Sequence, residues 1–351
     1  MGRLQEMWEK MSDQLGTPSQ KDDRVVIIDS LNTFLRVFSA VPALNDDGQH
    51  VGGVIGFLKS VGANIRQFQA TRCILVFDGA GGSQKRRKIL PEYKGNRKNR
   101  VRFNRFDDFK DLVDERESMK IQFSRLSEYF DTLPITVISI DNIEADDSIA
   151  YIAKQYYEGV DNQITIVSTD KDYLQLTSDK IRVWNPVKKK MYTPQVVSEE
   201  FGIHHENYLL YRILSGDKSD NIDGIGGVGL KTMIKNFPTV VDTPMSITQF
   251  INESEQKYEE NPKKKFFKNI LDNREILNRN NSLMQLHEVD ISTSSKMAIQ
   301  SLMDKEINRL DMGEFRKLFV DDKLYANIKN VDSWLRDTFV MLNTYATRKT
   351  C

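Results

Sequence analysis

The sequence predicts an α/β fold, with a mainly parallel central sheet flanked by helices. Three observations predict it. Short runs of branched apolar residues recur without polar alternation, as strands buried on both faces require. Amphipathic stretches separate the runs, as crossover helices between parallel strands require. Almost every run ends on an acid, where the ligand crevice of an open α/β sheet lies.

Each element follows in order. Residues 1–23 are polar, with Leu4, Met7, Trp8, Met11 and Leu15 at helical spacing, and read as a short N-terminal extension. Val25 to Ile28 is the first apolar run and closes on Asp29; Cys73 to Phe77 closes on Asp78. Ile135 to Ile140 closes on Asp141, and Ile164 to Val167 leads into Ser168, Thr169 and Asp170. Helical patterns fill about 53–69, 106–131 and 145–157, and Ile181 to Trp184 adds an edge strand. Residues 24–200 form one core on this reading. From 201 to 291 the chain reads as helices with short turns, broken by Gly224, Gly226, Gly227 and Gly229. Residues 292–351 form a helical C-terminal extension without a motif.

Composition narrows the class. The chain has 351 residues, enough for a sizeable core, and carries 50 Lys and Arg against 50 Asp and Glu. No stretch approaches the roughly 18–20 apolar residues of a membrane span, and the first twenty residues lack the apolar core of a secretory signal. Two cysteines, Cys73 and Cys351, are too few for a disulfide framework. A soluble cytoplasmic protein without a membrane partner is expected. The zero net charge leaves room for segregated patches of opposite sign.

The acids are the first patch. Asp29 and Asp78 close apolar runs, where a charge is costly unless it faces a crevice. Glu144, Asp146 and Asp147 follow the third run with Asp141; Asp170 and Asp172 follow the fourth; Asp217 and Asp220 follow in Gly-Asp-Lys-Ser-Asp-Asn. Singly, each such acid is a helix cap or a turn residue. Together at one sheet edge they repel unless a cation neutralises them. Oxygen ligands with no His or Cys nearby select Mg²⁺ or Mn²⁺. More than four carboxylates suggest two ions, as in phosphodiester hydrolysis. The histidines, at 50, 204, 205 and 287, have no zinc spacing.

Residues 83–105 are the second patch, with ten Lys or Arg, among them Lys85, Arg86, Arg87, Lys94 and Arg97, against Glu92 alone. Tyr93 and Phe103 interleave, a composition that suits a phosphate backbone with bases stacked on rings. The glycines 224, 226 and 229 fit G-x-G-x-x-G, but no strand precedes them, so a dinucleotide-dependent enzyme is disfavoured. They read better as a turn between helices whose N–H groups face a phosphate, with Lys231 beside it.

The ordered set Ile-Ile-Asp29, Val-Phe-Asp78, Leu-Pro-Glu-Tyr-Lys-Gly-Asn-Arg (90–97), Glu144-Ala-Asp146-Asp147, Ser-Thr-Asp170-Lys-Asp172, Gly-Asp217-Lys-Ser-Asp220-Asn and Gly-Ile-Gly-Gly-Val-Gly resembles the 5′ nuclease superfamily, nearest its phage-type branch of 5′→3′ exonucleases with ribonuclease H activity. The resemblance covers about 24–291. It implies a PIN-like core, a helical arch at about 79–105 that passes a single-stranded 5′ end, and a helix–three-turn–helix module at 205–237. Asp29, Asp78, Glu144, Asp146 and Asp170 would hold a first Mg²⁺, and Asp147, Asp172, Asp217 and Asp220 would serve a second. Lys94 and Arg97 would steady the scissile phosphate, and Tyr93 would stack on the displaced base. Lys85, Arg86, Arg87, Gly224, Gly226, Gly227, Gly229 and Lys231 would contact DNA, with K⁺ held by carbonyls of the 222–229 loop. The implied activity is Mg²⁺-dependent cleavage at 5′ flaps, nicks or 5′ ends during replication, in the host-cell cytoplasm if the source is viral. Implied partners are branched or nicked DNA, RNA–DNA hybrid, a single-strand-binding protein and a polymerase; a monomer is expected. The loop departs from many relatives in lacking a proline before its first glycine. The rival from another class is a non-catalytic DNA-junction binding protein, which would gain nothing from concentrating acids beside DNA.

Overall fold

The computed structural model describes residues 22–96, 104 and 109–346. The N-terminal extension up to residue 21, and Arg97, Phe103 and Cys351, lie outside the described residues. Six strands form one sheet in the order β3-β2-β1-β4-β5-β6. They are β1 (Arg24–Asp29), β2 (Arg72–Asp78), β3 (Thr136–Ile140), β4 (Gln163–Val167), β5 (Ile181–Asn185) and β6 (Lys190–Tyr192). All neighbours run parallel except β5 and β6. The expected edge strand at 181–184 is therefore interior; β6, a short antiparallel return, takes the edge.

Each unalternated run feeds two cores because successive side chains point to opposite faces. Val26, Ile28, Cys73, Leu75 and Phe77 pack under α1 (Ser30–Ala40), α2 (Gly52–Gln67) and α4 (Leu112–Asp131). Val25, Ile27, Ile74 and Val76 pack on the other face with α5 (Ala145–Tyr151), which runs into one turn of wider helix at Ile152–Tyr156. Between β2 and α4 lies the short helix α3 (Gln84–Ile89).

A third apolar cluster holds the helical region together. It joins α7 (Tyr208–Ser215), α8 (Leu230–Asn236), α9 (Ile247–Glu260), α10 (Lys265–Asp272) and α11 (Arg274–Met284), after α6 (Pro194–Phe201). Between α7 and α8 the sequence reading expected only a loop. The structure inserts a small hairpin of β7 (Gly216–Asp217) and β8 (Ile222–Asp223). The last helices are built into the sheet layers. Ile299 and Met303 of α12 (Thr293–Asp304) join one core. Phe315 and Phe319 of α13 (Met312–Asp321), with Leu335 and Phe339 of α14 (Val331–Ala346), join the other. Among the described residues no helix is long and apolar enough to cross a membrane.

Candidate functional site

The strand order reverses direction beside β1, between β1 and β4, and the crevice of such a sheet opens at that point. Here an open cleft of about 710 Å³ is lined by Asp29, Asp78, Asp146, Asp170 and Asp217, with Lys94, Arg36 and Arg212. Asp29 ends β1 and caps α1, accepting from the Asn32 N–H at 3.3 Å. Asp78 ends β2 and accepts from the Ala145 N–H at 2.7 Å, at the positive start of α5. Ser168 Oγ donates to Asp29 at 2.8 Å, and Asn32 accepts from the Thr169 hydroxyl, tying the ends of β1 and β4 together. Asp29, Asp78 and Asp170 have no basic partner among the described residues. Burial, followed by the charges of Asp170 and Asp78, pushes the Asp29 carboxyl up to about 7.

Glu144, Asp146, Asp147, Asp172 and Asp217 are held by cations of the chain. Arg86 is 7% exposed. Its guanidinium grips Glu144, lies 3.2 Å from Asp146 and bonds Asp147 through two nitrogens at 3.0 Å each. Lys94 pairs with the other Glu144 oxygen. Arg212 bridges Asp172 at 2.9 Å and Asp217 at 2.5 Å. Burial raises Asp172 to about 7, and Asp170 adds to it; burial, then Asp146, does the same for Asp147.

Two expectations from the basic segment are corrected. Arg86 does not face DNA; its charge is spent inside the acid cluster. Tyr93 is 2% exposed, among Ile222, Leu283 and Met284, with its hydroxyl 3.3 Å from Glu144 and 3.4 Å from Asp220. No face of its ring is open to a base. Lys85 is half-exposed and paired with Asp290 at 2.6 Å, whereas Arg87 and Lys231 are exposed. Arg97 and most of the expected arch beyond Asn96 lie outside the described residues. Residues 92–96 are stitched to the β7–β8 turn. The Lys94 N–H donates to the Asp220 carbonyl at 2.9 Å, and Asn96 donates to that of Lys218 at 2.8 Å.

The glycines differ in purpose. A Cβ on Gly224 would lie 2.3 Å from the Ser215 backbone, so this position serves close packing rather than phosphate approach. Gly226, Gly227 and Gly229 face open space, and Gly227 has φ +77°. Asn269 donates to the Gly226 carbonyl at 2.5 Å, and the Thr232 hydroxyl to that of Gly229 at 2.7 Å.

The sequence reading missed Arg36 and Arg212. Arg36 sits one helical turn after Asn32 on the cleft side of α1; it touches Ser60 at 3.3 Å, its Nε has no partner, and burial lowers its pKa. A lone Arg on an apolar helix face, seven residues past Asp29, was the available signal. The donor set fits hard divalent cations: oxygen only, with three carboxylates uncompensated. Among the described residues, no three acids close on one point as a formed ligand shell. Glu144, Asp147, Asp172 and Asp217 are instead held in ion pairs by Arg86, Lys94 and Arg212.

Comparison with known proteins bears on the same residues. Residues 24–202 match the family described as 5′-3′ exonuclease, N-terminal resolvase-like domain. A 5′-3′ exonuclease of Aquifex aeolicus is 28% identical over 312 residues, 88% of this chain and 96% of that protein. One from Buchnera aphidicola subsp. Schizaphis graminum is 30% identical, over 64% and 74% respectively. DNA polymerase I of Bacillus caldotenax is 32% identical over 66% of this chain, but only 25% of the polymerase. Among solved structures, a bacteriophage T5 flap endonuclease variant in a product complex with DNA and metal ions matches with a TM-score of 0.59 at 20% identity. That match covers 85% of this chain and 97% of the other. The T5 5′-exonuclease with bound zinc matches with a TM-score of 0.58 at 22% identity, over 85% and 98%. These structural matches establish a shared fold.

Proposed function

The chain belongs to the 5′-3′ exonuclease family, and on that premise we propose that it is a structure-specific 5′ nuclease. It would hydrolyse phosphodiester bonds at 5′ flaps, nicks or 5′ ends of DNA during replication, with the RNA of RNA–DNA hybrids as a further substrate. One observation carries this reading: Asp29, Asp78 and Asp170, without basic partners among the described residues, line one cleft at the switch point of the sheet together with Lys94.

Asp29, Asp78, Glu144, Asp146 and Asp170 would hold one Mg²⁺ or Mn²⁺, and Asp147, Asp172, Asp217 and Asp220 a second. Bound there, such ions supply Lewis acidity, lowering the pKa of water and offsetting charge on the phosphate. The chain supplies orientation and charge. Lys94, at the mouth of the arch, would pass from Glu144 to the scissile phosphate as negative charge develops on its oxygens. Arg97 would act beside it. Arg36, which lines the cleft, would hold a neighbouring phosphate. Arg87, Lys231 and the N–H groups of Gly226 and Gly227, which face open space, would anchor the duplex without reading its sequence. The Gly226 carbonyl accepts from Asn269 and keeps a second lone pair, which would accept K⁺ held by the 222–229 loop. We further propose a nuclease core at 24–200 and a DNA-binding helical region at 201–291, with the extension 292–351 packed onto the core, acting as a monomer in the cytoplasm with replication proteins nearby.

The test is cleavage of a 5′-labelled flap duplex with Mg²⁺, with product lengths resolved on a gel. A product near the flap length marks endonucleolytic action on a threaded strand; products of one or a few nucleotides mark trimming from the 5′ end. Asp170→Asn should abolish cleavage and leave duplex binding intact. Unchanged turnover would refute the assignment, and tight binding without any cleavage by the unaltered protein would favour a junction-binding protein.

A further inference from the structure

A second cavity, of about 490 Å³, lies at the amino-terminal end of β5, away from the acid cleft. It forms a seam between the sheet core, which contributes Lys154, Thr177 and Ser178, and the helical region, which contributes His205, Gln249 and His287. The nuclease reading uses none of these residues.

Three nitrogen bases converge on this seam. The Lys154 ammonium lies 3.0 Å from His287 Nδ1. An ammonium can only donate, so Nδ1 accepts, and the His287 ring is neutral with its proton on Nε2. His205 stacks at a tilt on His204, ring centroids 4.7 Å apart. Burial followed by the Lys154 charge holds His287 down to about 4. Burial lowers Lys154, and burial followed by His204 lowers His205. The acids that oppose this are Glu206, which lines the cavity, and Glu288 and Asp179 further off. Glu206 and Glu288 are exposed to solvent. Among the described residues, the three bases thus lose hydration without gaining a buried counter-charge, an arrangement that an anion would relieve. The first turn of α9, at Ser246 and Gln249, borders the cavity and acts in the same direction.

We propose that this seam is an oxyanion site that takes a phosphate group against Lys154, His205 and His287, separate from the cleft of the acids. The phosphate could be free, carried by a mononucleotide, or part of a DNA backbone; the chemistry recognised is the same. The inference does not depend on the nuclease reading, since it concerns other residues.

The experiment uses the full chain in metal-free buffer, with inorganic phosphate compared with chloride at equal ionic strength. Phosphate should raise the melting temperature and lift the His287 titration midpoint, followed by NMR, by about one pH unit or more. Lys154→Gln and His287→Gln should each weaken phosphate binding about tenfold or more while kcat for flap cleavage stays unchanged. An equal response to phosphate and chloride, or an undiminished phosphate response in both variants, overturns the proposal. If Lys154→Gln does not fold, the unaltered protein decides: a His287 midpoint that phosphate does not move overturns it. Adding duplex DNA or a 5′-mononucleotide identifies the source. Competition by the duplex assigns the site to a backbone phosphate, and competition by the mononucleotide alone assigns it to a free one.

Discussion

Replacing Asp29 by Asn should make the metal-free protein more stable above neutral pH even though it removes a carboxylate from the cleft. Asp29 is 8% exposed, and its carboxyl is raised from 3.8 to about 7, first by burial and then by Asp170 and Asp78. An acid whose pKa is higher folded than unfolded favours the folded state most at low pH. That stability is lost as pH rises from about 4 to about 7, because the folded chain must give up a proton it holds more tightly. Three units correspond to about 4 kcal/mol, an upper bound for the strain that Asn relieves at pH 8. Asn keeps the geometry: its oxygen can accept from the Asn32 N–H, and its amide can donate to Ser168 Oγ, which presently donates to Asp29 at 2.8 Å. The assay is urea unfolding in EDTA at pH 5 and pH 8, with an unchanged dependence on denaturant as the check on two-state behaviour. The advantage of the variant should fall below half at pH 5. Added Mg²⁺ should stabilise the unaltered protein at pH 8 more than the variant. A variant as stable as the unaltered protein or less so at pH 8, or an advantage that does not shrink at pH 5, would show that the crowding of acids at the switch point is not what strains the site.

Three further outcomes follow from the same geometry. Arg36→Ala should leave thermal stability nearly unchanged and weaken cleavage roughly 10–100-fold, mainly in KM, with Arg36→Lys in between; steady-state kinetics on the flap duplex reads this split. Arg212→Ala leaves Asp172 and Asp217 facing each other without their cation, and urea unfolding in EDTA should show a loss of about 3–5 kcal/mol, as for a broken buried pair. Gly224→Ala should disrupt the helical region, since the new Cβ would sit 2.3 Å from the Ser215 backbone, while Gly226→Ala meets nothing within 4 Å. The second variant should fold normally, so any loss of duplex affinity in a binding titration reports directly on phosphate approach.

The sequence made the sheet legible because each strand is a local run, and it set Asp29, Asp78 and Asp170 at or just after strand ends because each follows its run within a few residues. Nothing local told how the bases would be used. Arg86 and Tyr93 stand in a basic, aromatic segment that suits DNA, yet their partners Glu144 and Asp147 are more than fifty residues away, and burial among acids overrides composition. Arg36 carried a helical-phase signal, but only the sheet order makes its face the cleft face. The last helices offered no motif because their role is packing: Arg125 and Tyr129 of α4 both bond Asp322, 197 and 193 residues distant.

The neutral net charge acquires a local meaning at the site. The sequence suggested two segregated patches, one acidic and one basic. The structure instead threads Arg86 and Lys94 from the basic segment, with Arg212 from α7, into the acid cluster. These three cations compensate Glu144, Asp146, Asp147, Asp172 and Asp217, and leave Asp29, Asp78 and Asp170 exposed to one another's charge. Such a division lets the chain fold around a dense set of carboxylates before any ion binds, because five of the clustered acids already have a cation beside them. On the proposed nuclease reading, it would also couple cation binding to the segment that carries Lys94. A divalent ion that drew Glu144 towards Asp146 and Asp170 would release the Lys94 ammonium next to the route of the substrate phosphate.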